Sequence, residues 1–181
     1  KVERNIMAIN YAIKIADMLN SKKIILHAGE IIDDKCSFEN SIDLIDRFND
    51  KRLLIENLPV KHQINYLCQT LEGVEKYLRV SEKGFCFDIN HAIGLDFDYR
   101  GDYFKIIKDF LKLKPRHFHF GGQKLKKEQH LNFKYSELDT STILSLFPDD
   151  AEISLETSND FQGRKQDLEY IKKLVSSNFI S

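Results

Sequence analysis

Tryptophan is missing from this 181-residue chain, and cysteine and proline occur only three times each. Cys36, Cys68 and Cys86 are odd in number and widely spaced, with no C-x-x-C pair. This excludes a disulfide framework and a cysteine zinc knuckle, and a reducing cytoplasm is the expected compartment. No apolar run approaches the roughly 20 residues that span a bilayer. The opening KVERNIMAINYAIKIADML spaces its charges through an amphipathic pattern, unlike a signal peptide, so no membrane partner is expected. Neither sign of charge dominates: the net charge is -1, with no long basic block. Strong non-specific attraction to nucleic acid is thereby excluded, and an acidic substrate has to be held locally. The phosphate-cradling glycine motifs G-x-G-x-x-G and G-x-x-x-x-G-K-[ST] are also missing.

What remains is an ordinary globular composition, 42% hydrophobic and 30% charged. It suits a single domain over residues 1–181. Val2, Ile6, Ile9, Ile13 and Ala16 follow helical spacing, so the chain opens on a helix. Hydrophobic runs then alternate with amphipathic segments. KKIILHAG precedes a helix carrying Phe38, Ile42, Ile45 and Phe48 on one face, and RLLIENLP precedes one carrying Leu71, Val74 and Leu78. GFCFDINHAIG precedes DYFKIIKDFLKL, a helix that stops at Pro115. RHFHFGG leads through a polar loop to TSTILSLF, and AEISLET leads to a closing helix through Leu168, Ile171 and Leu174.

This alternation predicts β-α units on a parallel sheet, built as an open doubly wound sheet or as a barrel. The ends of the runs favour the barrel. They close on His27, Glu56, Asp88 with His91, His119, and Glu156. Functional residues of barrels converge at the carboxyl ends of several strands, whereas an open sheet spreads such ends along a line. Only five strands are legible where closure needs eight. With Lys1 on a helix and no initiator methionine, the expectation is a (β/α)8 TIM barrel represented by about its last five units. Roughly three units, about 80 residues, would precede them. Completion by another chain, or pairing as a homo-oligomer that covers the edge strands, is the alternative.

Residues two apart on a strand share a face. If His119 points inward so does His117, with Phe118 and Phe120 facing the helices. The layer beneath the mouth is then Ile25, Leu54, Cys86, His117 and Ser154. His117 and Ser154 read either as groups that orient metal ligands or, for His117, as a buried histidine satisfied by a carbonyl. His62, in a polar loop, reads as exposed. Lys124, Lys126 and Lys127 read as a solvated loop, with phosphate contact as the other reading.

The series HAG, IEN, FDINHAIG, HFGGQK, EQHLNF and LET resembles the endonuclease IV branch of the xylose isomerase-like TIM barrels, a superfamily that also holds sugar isomerases and epimerases. The resemblance runs from the first helix to the last. It implies a divalent-metal-dependent hydrolase in which two or three ions, zinc with manganese as the other candidate, activate water against a phosphodiester. Carried over by position, His27 would bind one ion and Glu56 would bridge two. Asp88, His119 and Glu156 would complete the second ion's shell. His91 and His130 would bind a third, with Glu128 standing where the family has an aspartate. Glu56 and Glu156 are the catalytic candidates within that set.

Imidazole nitrogen and carboxylate oxygen suit zinc and manganese, and a carboxylate can bridge two cations while partly neutralising them. The chain departs from the branch in carrying HFGGQK in place of an H-L-N-D-S-K type segment, a shorter stretch from His119 to His130, and Ser158 after LET. The expected partner is accordingly a small phosphorylated or sugar substrate, or damaged DNA. The alternative activity is a metal-dependent sugar or sugar-phosphate isomerase or epimerase.

Overall fold

The computed structural model describes residues 2–33, 35–60, 64–94, 103–125, 128–157 and 160–178. Helix α1 (Val2–Met18) leads into β1 (Ile24–His27), followed by α2 (Phe38–Ile45), β2 (Leu53–Glu56), α3 (Leu71–Val80) and β3 (Gly84–Asp88). Next come α4 (Ile89–Ile93), α5 (Tyr103–Leu111), β4 (His117–Phe120), β5 (Gly122–Lys124) and β6 (Glu128–Leu131). A 3-10 turn at Phe133–Tyr135, α6 (Thr140–Ser145), β7 (Ile153–Leu155) and α7 (Phe161–Asn178) complete the order. His62, Lys126, Lys127 and Ser158 lie outside the described residues.

Helix starts are set locally. Ser37, Thr70, Asp88 and Asp139 each cap a helix by accepting from the backbone N–H three residues on, which satisfies one of the donors that every helix start leaves unpaired. Strands β1, β2, β3, β4 and β7 form one parallel sheet in that order. It curls into a half barrel with β1 and β7 at its edges; among the described residues the barrel is not closed.

The two faces of the sheet differ sharply. Leu53, Ile55, Phe85, Phe87, Phe118 and Phe120 turn outward and are buried beneath the helices. Phe110 of α5 stacks on Phe87 with centroids 5.1 Å apart and planes 8° apart, and Phe147 stacks on Phe118 at 4.5 Å. Aromatic area of this size dominates core energetics, at roughly 2–3 kcal/mol for each buried ring. The inward face carries the polar residues.

Register explains how they meet. His27 lies level with Glu56, and Asp88 lies level with His119. Glu56 instead pairs with Cys86, two residues before Asp88, and His119 pairs with Ser154, two residues before Glu156. Steps of zero and two alternate, an average of one residue per strand, which is the stagger of an eight-stranded barrel of shear 8.

Three expectations are corrected. The polar loop after His119 is an antiparallel hairpin, β5 on β6; no period-two apolar signal marks it, because buried amides hold it instead of apolar packing. Val2 is exposed, and burial on α1 falls to Ile9 and Ala16. Leu168 is also exposed, whereas its neighbour Asp167 is buried. Asp167 Oδ1 accepts from the Phe133 backbone N–H at 2.9 Å, and its Oδ2 accepts from Asn132 Nδ2 at 2.6 Å. Asp167→Ala takes the acceptor away from a buried N–H. We expect a loss of about 2–3 kcal/mol, seen as a lower urea midpoint with an unchanged m-value.

Candidate metal centre

The carboxyl ends of β2, β3, β4 and β7 bring Glu56, Asp88, His119 and Glu156 together, each offering a ligand atom within 4.8 Å of the others. Asp88 also belongs to a second set of the same tightness with His91 and His130. His27 lies beside the first set, its Nε2 3.2 Å from Glu56 Oε2, at the solvent edge. Glu128 is in neither set. It is exposed, paired in register with Lys124, and its carboxylate lies 3.9 Å from that ammonium.

His119 anchors the first set. Its Nδ1 lies 2.9 Å from Glu156 Oε1 and 3.1 Å from Glu56 Oε1. Burial pushes the imidazole pKa down, but bonds to Cys86, Glu156 and Glu56 outweigh it and raise it far above the ordinary histidine value. Burial likewise opposes ionisation of Glu56, and the hydrogen bonds from His119 and His27 overcome it, so this carboxylate stays charged. His119 holds Glu156 below its usual value in the same way. Asp88 behaves oppositely: complete burial, then the neighbouring Glu56 charge, pushes its carboxyl well up.

The donor set fits a divalent cation. It offers only oxygen and imidazole nitrogen, with three carboxylates crowded where a low dielectric penalises negative charge. Asp88 Oδ1 is used as the α4 cap, accepting from His91 N–H at 2.7 Å, while the buried Oδ2 has no hydrogen-bond partner. The nitrogen at 3.5 Å from it, His91 Nδ1, donates instead to the Asn57 carbonyl at 2.9 Å. That bond fixes the tautomer, and burial keeps the ring neutral with a pKa of about 4. His91 Nε2 is therefore left as a lone pair suited to ligation. Cys86 contributes no thiolate, since burial raises its thiol to about 11.

Several positioning residues carried no sequence motif. Asn57 accepts from the Asp88 N–H and donates to the Asp88 carbonyl, both at 2.8 Å, extending the β2–β3 pairing one residue past Glu56. The only hint is a second polar residue, after Glu56, at the end of an apolar run. His130 reaches the cluster through a bulge. Gly122 pairs with Leu131 and Lys124 with Glu128, so Gln129 and His130 together oppose Gln123, and His130 takes φ +58°. Bulges of this kind re-aim a side chain near a site, and a histidine in the left-handed region is uncommon. Here the ring is brought within 3.5 Å of Glu156 Oε2 and 5.5 Å, centroid to centroid, of His91.

The glycines of HFGGQK have a steric cause: a Cβ on Gly121 would lie 2.1 Å from the Glu156 carbonyl, and one on Gly122 would lie 2.7 Å from the Asn132 carbonyl. His117 bonds to Ser154 at 2.8 Å and lies 3.5 Å from Lys23 Nζ. The two residues thus serve one another and Lys23, just ahead of β1, and give no hydrogen bond to the two donor sets.

No protein-family model matches the sequence, and neither does any curated protein. Solved structures do match. A D-tagatose 3-epimerase-like protein superposes with a TM-score of 0.72 at 15% identity, covering 98% of this chain and 72% of its own. Endonuclease IV from Thermus thermophilus gives 0.66 at 16%, covering 90% of this chain and 64% of its own. The likeness is one of fold: a TIM-barrel-like half barrel of parallel strands and helices. A third structure of this type, the TTHB071 protein of Thermus thermophilus soaked with zinc chloride, gives 0.60 at 17% over 90% of this chain and 64% of its own. The chain thus spans a little under two thirds of the two Thermus proteins.

Metal binding in this half barrel competes with protons on Asp88 and His119. Loading zinc should therefore release protons, measured with an indicator dye in weak buffer. Apparent affinity should rise with pH, because both groups hold their protons above ordinary values. Affinity that does not change between pH 6 and 8 would count against these ligands.

Proposed function

We propose that the protein is a divalent-metal-dependent phosphodiester hydrolase of the endonuclease IV type. The observation that carries this reading is the pair of donor sets hinged on one carboxylate, Asp88. A carboxylate shared in this way would suit a pair of cations of the kind that two-metal hydrolases use. Cations bound there supply positive charge to phosphoryl oxygens and acidity to water. The residues divide the remaining work. Glu56, buried between His27 and His119, would offer its carboxylate oxygens to the first cation. Asp88 and His91 hold the inner wall. Glu156, half-buried and kept ionised, presents a proton-accepting oxygen on the open side of the cluster.

Support for the second reading, sugar isomerisation or epimerisation, comes from the 98% coverage of this chain by the epimerase-like structure. For that chemistry the first donor set suffices, with Glu156 moving a proton between carbons. The two readings separate on His130. The zinc- or manganese-loaded protein should cleave a simple aryl phosphodiester or abasic-site DNA, lose this on chelation, and fall about 100-fold as His130→Asn. Ketose epimerisation that survives His130→Asn, without phosphodiester cleavage by the wild type, would replace this proposal by the second.

A further inference from the structure

The second donor set joins elements that are far apart in sequence. Asp88 ends β3 and caps α4, and His91 lies within α4, whereas His130 sits on β6. What fastens one to the other is a lattice of side-chain amides centred on Asn90, which is fully buried. Asn90 Oδ1 accepts from the Gly121 N–H at 2.7 Å. Its Nδ2 donates to the Gly121 carbonyl at 3.0 Å and to Gln123 Oε1 at 3.1 Å. The Gln123 amide, also fully buried, donates onward to the Gly94 carbonyl at 2.8 Å. From the other side the Gln129 side chain donates to the Asn90 backbone carbonyl.

The lattice therefore grips α4 at Asn90, next to His91, and at Gly94. It grips the hairpin at Gly121, Gln123 and Gln129, the last next to His130. None of these amides ionises, and none belongs to either donor set. A buried amide is retained only where its bonds are met. Here those bonds link the two histidines of the second set.

We propose that Asn90, assisted by Gln129, is a positioning residue that assembles the second metal site from α4 and β6 while leaving the first site independent. The inference rests on the two-cation reading above. Neither amide touches substrate; both act through His91 and His130. The first set draws its members from β2, β3, β4 and β7, which the parallel ladder already holds in register. Only the second set depends on the lattice.

The test is manganese titration of the intact protein, followed by electron paramagnetic resonance and isothermal calorimetry. Wild type should take two equivalents and show the exchange-coupled signal of a manganese pair. Asn90→Ala and, more mildly, Gln129→Ala should bind the first equivalent as wild type does. The second should weaken by about 10- to 100-fold, the range for lost supporting bonds around a ligand, with the coupled signal replaced by that of isolated ions. A merely structural loss would lower thermal stability and weaken both equivalents together. Gln129→Ala removes a single bond at a half-buried position, so it reports even if Asn90→Ala fails to fold. Variants that bind both equivalents like wild type, or that lose both in parallel, overturn the assignment of Asn90. A wild type that takes only one equivalent overturns the two-cation reading itself, and this inference with it.

Discussion

Crowding three carboxylates, two of them fully or nearly buried, into one cluster is the constraint on which the rest of this structure depends. Each would be expensive alone in a low dielectric. Together they are tolerable because His119 is held as a cation between Glu56 and Glu156 and because burial shifts Asp88 toward its protonated form. Protons on these two groups neutralise what a divalent cation would neutralise with its own charge. This is why the same residues that look costly as structure look ordinary as ligands.

Everything that positions the cluster can be traced from that requirement. The alternating steps of the parallel register carry Glu56, Asp88, His119 and Glu156 to a common point although their strands are staggered. Asn57 prolongs the ladder to hold Asp88, and Asp88 in turn caps α4 and so orients His91. The glycine pair after β4 lets the hairpin close against the Glu156 backbone, and the bulge then aims His130 inward. On the far side of the sheet the phenylalanine stacks supply the apolar burial that lets the near side be polar. Stability and chemistry occupy opposite faces of the same strands.

Much of this is readable from spacing. An apolar run that ends on His, Glu or Asp has a strand-like length and an abrupt change of polarity, and those two properties locate all five strands of the parallel sheet and their terminal residues. The failures share a cause. Glu128 and His130 lie on a strand too short and too polar to show alternation, so their hairpin passes for a loop. Periodicity prefers Leu168 to Asp167 because it weighs hydrophobicity and is blind to a buried carboxylate with two specific donors. Asn57, Asn90 and Gln123 are invisible for the same reason: an amide looks alike whether it faces water or satisfies buried backbone.

By itself the sequence determined the order of β-α units, the chemical types available at each strand end, and the exclusion of a cysteine knuckle, since all of these follow from local composition and periods of 2 and 3.6. Only the tertiary structure decided that the candidate ligands form two sets hinged on Asp88, that Glu128 pairs with Lys124 and stands outside both, and that Asn90 bonds α4 to the hairpin carrying His130. Those outcomes depend on register, stagger and a single bulged residue. Each is a relation between separate segments, set by hydrogen bonds that no local pattern encodes.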